Sequence, residues 1–299
     1  MMRIRHILAL GLALLAAGAP RASLACASCG CGDPTLTAMG IEKPFRNRVR
    51  LSLEERFGGH SDPDRTERVL ISRTTLSASF SPTAWLTLAA ALPVAAGELR
   101  VRRAKGPSAR RIIGLGDLEL YARGLVFRDR SFSPRHILGI LAGLKAPTGP
   151  RVADSSGYPA PDDFQPGSGS WDPLLGASYG YFGSELGVFA SLSYRHTTTG
   201  RLDYRRGSVL GVSAFVQRSL HRAVAFGLGL ELSHTRPDEL RGIALPETGG
   251  TVLAVVPQAL IALRTDWLLR AALQIPVGPL GDRAQIEFPT GILALVVDL

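Results

Sequence analysis

The chain has 299 residues, a formal net charge of +9, 33 glycines, 20 prolines and three cysteines. It contains no uninterrupted apolar run of about 18 residues, which excludes a helical membrane span, and no sustained heptads, which excludes a coiled coil. The positive balance raises nucleic acid as a partner. The basic residues are scattered over predicted loops and strand ends, however, and the N-terminus is that of an exported chain, so nucleic acid is set aside.

Residues 1–25 read as a cleaved signal peptide. Met1-Met2-Arg3-Ile4-Arg5-His6 is basic, Ile7 to Ala19 is uncharged and apolar, and Ala22-Ser23-Leu24-Ala25 places small residues before Cys26. A retained interfacial anchor and lipoprotein processing at Cys26 are the alternatives. Cleavage leaves 31 basic against 25 acidic residues, about +6. Residues 26–45 hold all the cysteines, Cys26, Cys29 and Cys31, in a CxxCxC array. Three thiols in one small loop suit copper(I) or zinc(II), or one disulfide of the kind an oxidising periplasm favours. Zinc wants a fourth ligand, and the sequence names none. No other cofactor is expected.

Residues 46–299 read as one all-β domain of about twelve strands. Strand one is Arg48 to Phe57, followed by a polar loop, and strand two is Arg68 to Phe80. Ser81-Pro82-Thr83-Ala84 turns the chain into strand three, Trp85 to Val94. A long basic loop at 95–113 carries Arg100, Arg102, Arg103, Lys105, Arg110 and Arg111, which on a cell surface would face lipopolysaccharide phosphates or attract anions. Strand four is Gly116 to Phe127 and strand five His136 to Ala146. The longest loop, Pro147 to Ser170, precedes strand six, Trp171 to Tyr181, and strand seven, Glu185 to Arg195. Strands eight to twelve are Gly207 to Gln217, Ala223 to Ser233, Thr251 to Arg264, Leu268 to Val277 and Ala284 to Leu299.

Strand nine shows the alternation best. Val224, Phe226, Leu228, Leu230 and Leu232 fall on one face, and Ala225, Gly227, Gly229, Glu231 and Ser233 on the other. Such a face packs inward in a soluble sandwich and outward, to lipid, in an outer-membrane barrel. Three features favour the barrel: strands of about ten residues, an even count, and long connections after the odd strands with short ones after the even strands. Glu119, Arg123, Lys145, Glu185, Arg195, Glu231 and Arg270 then line the lumen, with Arg50, Glu54, Arg73, Tyr121, Gln217 and Gln274. So many mixed charges suit a wet interior better than a dry core. Trp85, Trp171 and Trp267, near strand ends, suit interface girdles.

Lys145-Ala146-Pro147-Thr148-Gly149, Gly167-Ser168-Gly169-Ser170-Trp171-Asp172 and Gly114-Leu115-Gly116-Asp117 are three short motifs. With the strand pattern they resemble the outer-membrane proteins named for the phenol meta-degradation pathway. That resemblance implies an outer-membrane barrel passing small apolar or aromatic molecules. The final Val297-Asp298-Leu299 departs from the terminal aromatic residue by which assembly machinery reads such barrels.

The histidines are dispersed, and neither a catalytic-triad or HExxH spacing nor a phosphate loop appears, so no enzyme is expected. The reading is an exported, single up-and-down transmembrane barrel that conducts or takes up small molecules, with the 147–170 loop folding inward as a constriction. Its expected partners are outer-membrane lipid, lipopolysaccharide, the barrel-assembly machinery and small-molecule cargo. The alternatives are a non-conducting binding or sensor barrel whose cysteine segment captures a thiophilic metal, and a secreted soluble sandwich.

Overall fold

The computed structural model describes residues 46–299, apart from 62–66, 104–105, 132, 151–164, 222, 247 and 280–285. The signal peptide, the cysteines and the metal site expected of them lie outside the described residues.

Alternating runs become strands because each can bury one face and leave the other to a different solvent. Twelve of the strands close a single antiparallel barrel. They are β1 (Arg48–Ser61), β2 (Glu67–Thr83), β3 (Leu86–Arg103), β5 (Leu118–Arg128), β6 (His136–Ala146), β7 (Asp172–Phe182), β8 (Leu186–Arg195), β10 (Val209–His221), β11 (Val224–Thr235), β14 (Gly250–Arg264), β15 (Trp267–Pro279) and β17 (Thr290–Asp298). Each pairs with the next in this order, and β17 returns to β1 with Leu53 opposite Leu295. Closure leaves no sheet edge around the ring, the condition hydrocarbon imposes on backbone polar groups. The closing seam carries a charged clasp: Asp298 accepts from Arg48 and from Arg50, each through two guanidinium nitrogens.

The connections sort by length. Residues 84–85, 183–185 and 265–266 make tight turns at one end, and the wider turn 129–135 joins them there. The opposite end carries the described residues 165–171 before β7, a three-stranded sheet of β9 (Tyr204–Arg205), β12 (Asp238–Leu240) and β13 (Ile243–Leu245), and β16 (Ile286–Glu287) beside the top of β1. These short strands carry too little alternation to be read from sequence. Residues 95–113 are not a loop: β3 continues to Arg103 and turns into β4 (Gly106–Leu115), a tall hairpin above the ring. Glu98 opposite Arg111 stabilises it as a cross-strand pair of opposite charge, and Glu98 also binds Arg100.

The outer surface is apolar. Phe226, Leu228 and Leu230 are exposed on it while Ala225, on the other face of the same strand, is buried. That assigns the greasy face outward. The inner face is less uniformly polar than the alternation suggests. Phe189, Phe215 and Val256 form a buried apolar cluster with Phe182 and Ala272 against it. Phe215 lies across β11 at Gly229, where a Cβ would stand 2.2 Å from the ring, so glycine there makes room for the aromatic.

Candidate functional site: a pinned segment at a break in the wall

The ladder of the wall shifts register at several places, at 80–83, 125–127, 219–221, 252–254 and 262–264, and it breaks where β4 gives way to β5. Both strands pair with β3, β4 along its upper half and β5 along its lower half. Between the pairs Ala91↔Glu119 and Val94↔Leu115 the β4–β5 side carries one extra residue. This is a bulge, and it turns the buried Asp117 inward. Gly116 donates its N–H to the Pro93 carbonyl at 2.7 Å. A Cβ at Gly116 would meet Pro93 Cγ at 2.7 Å and the Pro166 carbonyl at 3.0 Å, so only glycine lets three segments approach this closely.

Asp117 holds two stretches of the long loop at once. Its Oδ1 accepts from the N–H of Gly149 (3.0 Å), and its Oδ2 from the N–H (2.8 Å) and hydroxyl (2.6 Å) of Ser168. Lys145 donates to the Ser168 hydroxyl at 2.5 Å, pairs with Asp172 and stands 3.4 Å from Asp117. Asp172 also accepts from the N–H of Thr198 at 3.1 Å. Thr148 Oγ1 accepts the first N–H of β5, from Leu118, at 2.8 Å. Gly149 and Gly167 pass backbone to backbone, with Gly167 donating to Pro150 at 3.0 Å. The three short motifs therefore meet in space. Gln165, Pro166, Gly167, Ser168 and Ser170 are all buried, so the end of the long loop is folded inward, as the sequence suggests.

Beside this cluster, Arg195 grips Glu119 with two nitrogens, at 3.1 and 2.9 Å, reaching past β6 and β7 to β5, and Tyr121 donates its hydroxyl to the same carboxylate. A cavity of about 40 Å³ lies among Arg73, Asp117, Glu119, Lys145, Asp172 and Arg195, with Pro93, Pro166 and Val209 supplying apolar wall. Space of that size takes a couple of waters or one small polar head group.

The other residues singled out from sequence divide. Arg123 and Arg270 are buried, Arg270 lying 3.6 Å from Glu54 and donating to Gln258 at 2.9 Å. Glu231 accepts from Gln274 at 2.8 Å. Glu185 does not line the lumen. It stands exposed in the 183–185 turn, 3.7 Å from Arg218, because the turn takes it out of the phase of β8. Trp85 and Trp267 are exposed at the tight-turn end and Trp171 at the other. Asp117, Ser168 and Asp172 were not singled out as site residues, although all three stand within the motifs. Among the described residues no group of three or more histidine, cysteine or carboxylate side chains is placed to hold a metal.

No protein-family model matches the chain and no curated protein matches its sequence. Solved structures do resemble it. An outer membrane channel from Pseudomonas putida F1 superposes with a TM-score of 0.66 at 16% identity, over 90% of this chain and 100% of that one. The β domain of the Bordetella autotransporter BrkA superposes at 0.50 and 10% identity, over 85% of this chain and 100% of that one. The fold is thus that of an outer-membrane β-barrel.

Proposed function

We propose that this chain is an outer-membrane channel that lets small molecules pass through the barrel lumen. The observation that carries the reading is the pinned segment: residues 165–168 and 170 are buried within a closed, lipid-facing ring, with Ser168 held by Asp117 and Lys145. A barrel that only anchors a domain has no use for a segment pinned to the inside of its wall, whereas a channel needs a constriction of defined shape. The Pseudomonas protein of the same fold, itself described as a channel, supports the reading.

Export by the N-terminal signal and insertion by the barrel-assembly machinery belong to this proposal. So does contact of the exposed Arg100 and Arg111 with lipopolysaccharide phosphates above the apolar belt. The cargo suggested by the family resemblance is small and apolar or aromatic. No catalytic role is proposed.

Planar-bilayer conductance of the refolded barrel tests the channel. Wild-type protein is expected to show small steps, and Asp117→Ala, which frees both stretches of the loop, larger ones. A heat-modifiable, correctly closed barrel that conducts in neither form would refute the proposal.

A further inference from the structure

The wall of the cavity carries four cations, Arg73, Lys145, Arg195 and Arg206, against three carboxylates, Asp117, Glu119 and Asp172. Glu119 is taken by Arg195, and Lys145 by Asp117 and Asp172. On the neighbouring strand Arg56 stands directly opposite Arg73 in the β1–β2 register and is paired with Glu54 at 2.9 Å. Like charges directly opposite on one face repel, so the arrangement needs a compensating group. Arg73 lines the cavity beside the pinned segment, and its buried Nε has no hydrogen-bond partner among the described residues. A buried guanidinium donor left unsatisfied is costly, and a negatively charged oxygen is its natural complement.

We infer that Arg73 forms an anion-binding step at the constriction, and that the channel selects small monocarboxylates over cations and neutral molecules. The inference rests on the channel reading above and adds the charge class of its cargo. The cavity admits a carboxylate head group, and Pro93, Pro166 and Val209 offer an apolar surface to the methyl or methylene group behind it. Of the other cations on the cavity wall, Lys145 and Arg195 already hold carboxylates of the protein, and Arg206 is engaged in an interaction of its own. A fork of guanidinium nitrogens suits the two carboxylate oxygens better than a point charge does.

The test is the reversal potential of the reconstituted full-length barrel across a potassium acetate gradient. Heat-modifiable migration confirms closure of each variant. Wild type is expected to pass acetate in preference to potassium. Arg73→Gln takes no partner from the Arg73 Nε among the described residues, so it is expected to fold and to lower the acetate-to-potassium ratio by about tenfold. Arg73→Lys, which keeps the charge, is expected to retain most of the preference. A conducting wild type that favours potassium, or an Arg73→Gln variant with unchanged selectivity, overturns the inference and leaves the channel standing. A closed barrel that does not conduct at all overturns both.

Discussion

The wall at β10–β11 and the wall at β4–β5 are built by different rules. At β10–β11 the ladder runs from Val209↔Thr235 to Ser219↔Ala225 without interruption, apolar side chains such as Leu228 and Leu230 face out, and Phe215 folds over Gly229 inside. Its stability is spread over many interchangeable contacts. At β4–β5 the ladder breaks, and a handful of polar atoms around Asp117 do the work that ladder bonds do elsewhere. Spread-out walls tolerate substitution by averaging, whereas a pinned seam depends on individual groups.

The sharpest way to break this contrast is at Lys145. Lys145→Met leaves the buried Asp117 and Asp172 facing each other without a cation, and stability is expected to fall by about 3–5 kcal/mol, read as a loss of thermal and urea resistance in detergent. If Lys145→Met costs no more than Leu228→Ala, the seam is not held by charge. On the regular wall a comparable loss needs a charge placed in lipid: Leu228→Arg is expected to cost about 2–4 kcal/mol in bilayer folding titrations, and a negligible cost would mean that this face does not meet hydrocarbon.

The smallest effect lies in the wide turn before β6. Asp129 accepts the backbone N–H groups of His136 (3.0 Å) and Arg135 (2.8 Å), and these bonds, that of His136 foremost, hold its carboxyl below the usual aspartate value. A depressed folded-state pKa gives stability that is present above the ordinary aspartate pKa and is lost as pH falls through the lowered one. Asp129→Asn is therefore expected to melt slightly below wild type at neutral pH and level with it in strong acid. A gap in melting temperature that does not narrow with acid would show that the turn is not held by this carboxylate.

The same contrast decides what was legible in the sequence. Period-two alternation reports a ladder with one face in lipid, so the strands flanking Leu228, their number and the sorting of their connections could all be read. The bulge could not, because one extra residue between Leu115 and Leu118 leaves no compositional mark. The hairpin of β3 and β4 was hidden by its own charges: Arg100, Arg110 and Arg111 look like a solvated loop until Glu98 is seen opposite Arg111. Glu185 was misplaced because alternation cannot tell where a strand yields to a turn. The convergence at Asp117 was present only as three separate motifs, and nothing in one dimension says that Lys145, Ser168 and Asp117 are neighbours.

The bulge also works as a frameshift. Below it, even-numbered residues such as Leu120 face out, and above it odd-numbered ones, Ile113 and Leu115, do so. One chain is thus read in two phases, with Gly116 and Asp117 as the point where the frame changes. Insertions or deletions of two residues would preserve the message on either side. Loss of a single residue at this point would turn Ile113 and Leu115 toward the lumen and bring Gly114 and Ile112 to the outer face, rewriting the upper hairpin without altering any of its letters.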